Sequence, residues 1–298
     1  MPIRLDKLVA ERFGLSRRAA QEAIRNGRID VAGLRCDEPG REIEPGSEVA
    51  YAPSRPKARK VSTRLQLLYE DRDILIVDKP AGLLTLPTAD RERDTLLARA
   101  SRFLRLRYGG RPFLGVVHRL DKETSGALVF ARSHAAQRAL QTLFKAHDVE
   151  RQYLAVVEGK VNREAGTVRL ALVTESTDLR RGVAREPGLG RQAVTHFRVV
   201  ERFGSIATLL ACWLETGRTH QIRIHLAELG HPVIGDRVYR PRMLPHPEVS
   251  FQRQALHAQT LGFRHPISGE TVSVESPLPS DLAELISELR EGAGRRVP

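Results

Sequence analysis

One carboxylate stands where bond-making chemistry could be done. Asp121 lies in the run His118-Arg119-Leu120-Asp121-Lys122-Glu123-Thr124-Ser125-Gly126, a polar break between the apolar stretches Phe113 to Val117 and Ala127 to Phe130. Short apolar runs of this kind form buried strands, so Asp121 is predicted on a loop tethered at both ends. An ionised aspartate in such a place can act as a nucleophile. A nearby arginine would favour the charged form and fix its geometry through paired hydrogen bonds. The plainer reading is that Asp121 caps a turn in which Thr124 and Ser125 offer hydroxyls and Gly126 is free to take positive φ. Competing chemistries find less support. His220 and His225 are five residues apart, which on a helix turns them away from one another, unlike the i, i+4 pair of a zinc-binding HExxH helix. The sequence has no GxxxxGK[ST] phosphate loop, and Gly188-Leu189-Gly190 is too weak a pattern to imply a nucleotide cofactor. No metal and no cofactor are expected. A glycoside hydrolase built on Asp121 would need a second carboxylate in a matching motif, and none stands out.

The elements that must position Asp121 follow from apolar spacing. From Leu65 onward helical and strand patterns mix without a regular βαβ repeat, which predicts an α+β domain with a mixed, predominantly antiparallel sheet. Ser133 can cap a helix bearing Ala136, Leu140, Leu143 and Phe144. Tyr153 to Val157 reads as a strand, and Ile206 to Leu214 as a central strand. His220 to Leu229 fits a helix stopped by Gly230, with Arg223 and Ala227 on one face and His220 one turn before Arg223. Ser280 starts a last helix carrying Leu282, Leu285, Ile286 and Leu289 inward, and Glu291 onward is predicted to fray. Thr177 to Gln192, with Arg180, Arg181, Arg185 and Arg191 among glycines and a proline, predicts a mobile hairpin or loop. Arg240 to Pro247, with three prolines, predicts a surface excursion.

The first fifty residues have a different texture. Leu5, Leu8 and Val9 repeat at helical spacing. Ser16 is a plausible N-cap for a second helix that turns Ala19, Ala20, Ala23 and Ile24 inward and ends at Asn26-Gly27. Arg17, Arg18, Arg25 and Arg28 are left for the other face. Short strands are predicted at Ile29 to Val31 and Glu48 to Tyr51, and Pro53 to Lys60 reads as an extended basic linker. Over its 298 residues the chain carries a net charge of +12, of which +4 falls in residues 1–60 and +8 in the rest. That excess points to a polyanion, with nucleic acid preferred over an anionic membrane surface. Aromatics are 5% of residues, too few for an extended stacking platform, so base contacts should be few and local. Two well-separated cysteines, Cys36 and Cys212, suggest a reducing compartment, and no apolar run is long enough to span a membrane. A soluble, cytoplasmic protein is expected.

The run HRLDxxTSG followed by an apolar strand closely resembles the signature of the RluA/RluD-type pseudouridine synthases. Three further blocks agree in order: Glu70 to Leu83, containing Val77-Asp78-Lys79-Pro80-Ala81-Gly82; Arg151-Gln152-Tyr153-Leu154; and Thr216-Gly217-Arg218-Thr219-His220-Gln221-Ile222-Arg223-Ile224-His225. The resemblance covers about Arg64 to Pro279. Pro2 to Tyr51 resembles the S-four-type (alpha-L) RNA-binding domain that often precedes such synthases. The resemblance implies a small RNA-binding domain at 1–51, a linker at 52–63, a catalytic domain with a central cleft at 64–291 and a flexible tail at 292–298. It implies an RNA isomerase without cofactor, in which Asp121 is the nucleophile, Arg223 its ion-pair partner, and Tyr153 packs on the target base and helps remove the C5 proton. Arg119 would fill the space left by a flipped base, with His118, Thr124, Arg218, His220 and Gln221 around the substrate and Arg17, Arg18, Arg25 and Arg28 on RNA. Ribosomal RNA is the expected target, transfer RNA the alternative, and a monomer the expected state. Attack on the anomeric carbon, attack on the base and a glycal route all stay open. A reading from another class is a noncatalytic RNA-binding or ribosome-assembly factor that retains the fold.

Overall fold

Short runs buried on both faces, such as Ile74–Lys79 and Ser125–Ala131, form central strands, and helices are added where the apolar period lengthens. The computed structural model describes residues 2–36, 38–54, 65–88, 90, 92–174, 181–186, 188–241 and 249–294. It divides the chain into two units, Met1–Ser62 with Arg91–Asp94, and Thr63–Asp90 with Thr95–Pro298.

In the first unit β1 (Ile3–Arg4) runs into α1 (Leu5–Phe13) and then α2 (Arg17–Arg25), followed by β2 (Ile29–Val31), β3 (Leu34–Cys36), β4 (Glu42–Ile43) and β5 (Val49–Tyr51). Strand β1 pairs β4, and a second sheet has the order β3-β2-β5. Ser16 does cap α2, its Oγ accepting the Ala19 amide at 3.2 Å. Leu5, Val9, Ala20, Ala23, Ile24 and Ile29 form the core. Asp6 is wholly buried beside it. Arg4 donates to it at 3.1 and 3.0 Å and Gln21 at 2.8 Å, and these partners hold the carboxyl well below its ordinary value against the opposing effect of burial. Arg17, Arg18 and Arg25 are exposed and Arg28 is half-buried.

The second unit contains, in order, β6 (Gln66–Glu70), β7 (Ile74–Lys79), α3 (Leu96–Tyr108), β8 (Gly115–Val116), β9 (Ser125–Ala131), α4 (His134–Ala146), β10 (Glu150–Glu158) and β11 (Ala165–Thr174). Then come β12 (Arg181–Val183), β13 (Arg191–Phe203), β14 (Ala207–Leu214), α5 (Gln221–Glu228), β15 (Leu256–Arg264), β16 (Thr271–Glu275) and α6 (Ser280–Gly294). Its sheet has the order β12-β11-β13-β14-β10-β15-β9-β7-β6, with β16 on β15 and β8 on β9. Among the described residues its strand ladders are antiparallel except β15 on β9, where His257 faces Ser125 and Ala258 faces Gly126. Strand β15 is thus the seam between two halves of the sheet. Leu75 and Val77 of β7 join Leu128 and Phe130 of β9 in one core, covered by Leu96, Ala100 and Leu104 of α3 and Leu282, Leu285, Ile286 and Leu289 of α6. Ile74 and Ile76 join Ala127 and Val129 on the opposite face, under Ala136 and Leu140 of α4.

Several elements differ from the sequence reading. Of Phe113 to Val117 only Gly115–Val116 is strand, because the next amide of the ladder, Val129 N–H, is taken by the imidazole Nε2 of His118 at 3.2 Å. Gly126 is not a turn residue but part of β9. Its φ of +119° sets it where a Cβ would stand 2.1 Å from the Ala258 carbonyl oxygen. Helix α3 has no counterpart in that reading; Thr95 caps it, accepting the Ala98 amide at 3.2 Å. Thr177 to Gln192 contains more sheet than expected, since Arg181–Val183 pairs β11 and Arg191 and Gln192 already belong to β13. Helix α6 runs through Glu291 to Gly294, its last turn held by Arg290 donating to Glu201 at 2.7 Å. Residues 55–64, 175–180, 187, 242–248 and 295–298, which hold most of the basic linker, Arg180, most of the proline-rich segment and the end of the tail, lie outside the described residues.

Candidate active site

The Asp121 loop, between β8 and β9, is fastened one backbone group at a time. Thr85 Oγ1 accepts the Leu120 amide at 3.2 Å and donates to its carbonyl at 3.0 Å. The buried ammonium of Lys79, at the end of β7, donates to the carbonyls of Pro80, Leu83 and Lys122 at 2.9, 2.8 and 3.0 Å. Arg253 Nη1 donates to the Glu123 carbonyl at 3.1 Å, while its Nε and Nη2 grip Asp281 at 2.6 and 2.9 Å. The Thr124 amide closes the turn on the Asp121 carbonyl at 3.1 Å. Asp121 therefore does sit in a turn, but its carboxylate is left to project from it.

That carboxylate meets α5. Arg223 Nη1 donates to Asp121 Oδ2 at 3.0 Å, and His220 Nε2 stands 3.7 Å from Oδ1. Gln254 Nε2 reaches Oδ2 at 3.5 Å and donates to Thr124 Oγ1 at 2.6 Å. Arg223 is itself seated by Asp236, with Nε to Oδ2 at 2.5 Å and Nη2 to Oδ1 at 3.0 Å. Asp236 Oδ1 also accepts the amides of Val238 and Tyr239 at 2.9 and 3.1 Å. Burial alone would lower the Arg223 pKa, but the carboxylates of Asp236 and Asp121 outweigh it and raise the net value. For Asp236 burial works upward and is outweighed by Arg223 and the two amides, so the carboxyl stays ionised. The guanidinium lies 4.9 Å from the Tyr239 ring centroid, and the Tyr239 hydroxyl is 2.7 Å from His220 Nδ1.

Asp121, Arg223 and Tyr153 line one cavity of about 540 Å³ together with His118, Arg119, Thr124, Arg151, Arg218, His220 and Gln221. The volume is of the size that accepts a small ligand, about 300–1,000 Å³. The cavity therefore gathers every candidate of the second unit, though in different conditions. Tyr153 is buried on β10, and burial raises its pKa. Arg119 is exposed. His118 stacks on Phe144 with centroids 4.5 Å apart, and burial and the nearby Arg151 push its pKa down to about 3, so the ring is neutral. Gln221 is fully engaged within the protein. Its amide donates to the Val194 carbonyl and Thr195 Oγ1 at 2.9 and 3.0 Å, and its oxygen accepts from Thr216 and the Arg218 amide at 2.7 and 3.0 Å. It ties the loop before α5 to β13. Thr124 is buried, its hydroxyl held by Gln254, while Arg218 is exposed with Nε donating to the Gln192 carbonyl at 3.3 Å. Asp236, Gln254 and Lys79 were not singled out by residue type. The only sequence signals were the Val233-Ile234-Gly235-Asp236 turn and the lysine within the Val77 to Gly82 block.

The chain has counterparts among known proteins. The model of the RNA pseudouridylate synthase family matches residues 73–228, and that of the S4 domain matches residues 3–49. The chain belongs to the RNA pseudouridylate synthase family. It is an enzyme, an RNA pseudouridine synthase. An RNA pseudouridine synthase of Bacillus subtilis (strain 168) is 38% identical over 297 residues, covering 97% of this synthase and 94% of the relative. Ribosomal large subunit pseudouridine synthase D of Xanthomonas campestris pv. campestris is 41% identical over 305 residues, covering 98% of the synthase and 90% of the relative. Human RNA pseudouridylate synthase domain containing 1 shares the fold with a TM-score of 0.58 at 30% identity, over 80% of the synthase and 97% of that chain. RNA is the substrate, and the α+β architecture with an S4 domain ahead of a mixed-sheet catalytic domain is that of the family. Among the described residues no helix is long and apolar enough to cross a membrane.

Proposed function

We propose that this synthase isomerises uridine in the RNA of the large ribosomal subunit, with Asp121 as nucleophile, Arg223 as its positioning cation and Tyr153 against the base. The observation that carries the reading is the ion-pair chain from Asp121 to Arg223 at 3.0 Å and on to Asp236 at 2.5 Å, facing the cavity that Tyr153 lines. A nucleophilic carboxylate must be ionised and held still, and a doubly anchored guanidinium meets both needs. Isomerisation breaks the bond from C1′ to N1, turns the base, joins C1′ to C5, and moves the C5 proton away while N1 gains one. The exchange consumes no electrons from outside. One nucleophile and one proton acceptor suffice, whether the aspartate attacks the sugar, attacks the base or assists a glycal.

A stacked uridine hides these atoms, so the base must leave the helix at a cost of a few kcal/mol. Stacking on one aromatic ring returns only about 1–3 kcal/mol. Arg119, exposed at the cavity, is the residue we assign to the vacated space. The proposed division is an RNA-binding domain at 1–51, a linker at 52–63, a catalytic domain from 64 to the end of α6, and a short tail. Arg17, Arg18, Arg25 and Arg28 are proposed to meet RNA phosphates, and the synthase is proposed to act as a cytoplasmic monomer. The large-subunit target is supported by the name of the Xanthomonas relative and by the leading S4 domain.

The test is to map pseudouridine chemically in ribosomal and transfer RNA from cells lacking the protein, then to complement with wild type or Asp121→Asn. Wild type should restore one or more large-subunit sites and the variant none. Restoration confined to transfer RNA would overturn the target, and full restoration by Asp121→Asn would remove the nucleophile.

A further inference from the structure

A second cation of the cavity is unaccounted for by the ion-pair chain. Arg151 is 8% exposed, two residues before Tyr153 on β10, and it lines the same cavity. Buried guanidinium groups are ordinarily matched to a carboxylate, because removing the charge from water is costly. None of the ion pairs among the described residues includes Arg151. Its Nη2 donates to the Leu214 carbonyl at 3.3 Å, its Cζ lies 5.6 Å from the Phe144 ring centroid, and its Nε has no hydrogen-bond partner. Gly217 leaves it room: a Cβ there would stand 2.9 Å from Arg151 Nη1. The fold therefore keeps a desolvated, under-bonded cation beside the tyrosine. Burial lowers its pKa, with the Tyr153 phenol opposing.

We infer that Arg151 is a catalytic residue that contacts a carbonyl oxygen of the extruded uracil and holds the negative charge the base acquires during isomerisation. The inference deepens the functional reading and rests on it. When the C1′–N1 bond breaks, its electron pair stays with the base and spreads onto the carbonyl oxygens. When C5 attacks C1′ a ring pair forms the new bond and the aspartate leaves as carboxylate, so the base is neutral again; loss of the C5 proton then returns negative charge to the carbonyl oxygens, and protonation of N1 discharges it. If the aspartate adds to the ring instead, the same oxygens carry charge. On any of these routes a guanidinium at a uracil oxygen is stronger in the transition state than in the ground state, which is the condition for accelerating the reaction. Arg223 is committed to another task, since three of its five N–H groups already bind Asp236 and Asp121.

The experiment uses the full chain and an unmodified large-subunit RNA transcript tritiated at uridine C5. Tritium release is followed in single turnover at saturating enzyme, with RNA affinity and thermal melting measured in parallel. Arg151→Met should react about 100- to 1,000-fold more slowly, the loss typical of removing one charge-stabilising donor, with RNA affinity nearly unchanged. Arg151→Lys should recover at least about tenfold of that loss, because it restores the charge. A Met variant as fast as wild type would overturn the proposal, as would a Lys variant that melts like wild type yet is as slow as Met. If Met proves too unstable to assay, Arg151→Gln replaces it against Lys with the same two outcomes. Wild-type enzyme that releases no tritium from either this transcript or total transfer RNA would instead overturn the synthase chemistry itself, and Arg151 with it.

Discussion

Asp236 makes the most demanding test at the scale of single residues. It is buried, and among the described residues its carboxylate accepts from Arg223 and two amides, so replacing it with alanine leaves a buried guanidinium holding Asp121 alone. Breaking a buried pair by removing one partner costs about 3–5 kcal/mol. Asp236→Ala is expected to lower the urea unfolding free energy by that order and to slow single-turnover isomerisation, whereas Asp236→Glu should recover part of both. Equal stability of Ala variant and wild type would mean that the pair contributes little. That Asp121, Arg223 and Tyr153 share one cavity was legible because each lies within a motif whose neighbours constrain it. Asp236 and Gln254 were not, because their partners are 13 and 133 residues away in sequence and only packing brings them together. Gln221 adds a role its motif did not indicate: its side chain ties the loop before α5 to β13.

Elements transmit order to the site at two places. The first is the close approach of β9 and β15, where Gly126 leaves no room for a side chain. Gly126→Ala is expected to break the parallel pairing and yield protein that melts far lower or fails to fold, read by near-ultraviolet circular dichroism and thermal melting. The second is the end of β7. Burial pushes the Lys79 ammonium down from 10.5 to about 7, opposed by the carboxylates of Glu123 and Asp121. Burial penalises the charged form, so the folded state bears the whole penalty below pH 7. Between about pH 7 and 10.5 the folded chain gives up a proton that the unfolded chain retains, and stability gains as pH rises. Measured against Lys79→Met at about pH 6 and about pH 10, wild type should therefore improve relative to the variant on going alkaline. A constant or shrinking difference would contradict the lowered pKa. Helix α4, β14 and α6 were readable from apolar spacing alone. Helix α3 was not, because its Arg99, Arg102, Arg105 and Arg107 interrupt an apolar face in which Leu96, Ala100 and Leu104 are buried and Leu97 and Phe103 pack beside them.

For the whole molecule, net charge of +12 and the S4 domain make RNA binding strongly dependent on salt. Exposed Arg17 and Arg18 of α2 are expected to contribute two phosphate contacts. Replacing both with alanine should weaken RNA binding and flatten the log–log salt slope by about 1.4, at about 0.7 per single-strand contact; an unchanged slope would rule out both contacts. The two-part organisation was legible from the shift in pattern after Tyr51, and the α+β class from the absence of a βαβ repeat. The order of strands was not, since β15 pairs a strand more than a hundred residues earlier and periodicity carries no record of such partners.

That pairing has a consequence for how the enzyme comes into being. Asp121 lies in the loop that leads into β9 and Tyr153 on β10, and these strands are joined in one sheet through β15, which follows both by about a hundred residues. A chain ending before Leu256 holds Asp121, Tyr153 and Arg223 but lacks the strand that joins β9 to β10. Truncation before Leu256 is therefore expected to abolish isomerisation, checked by tritium release from uridine tritiated at C5.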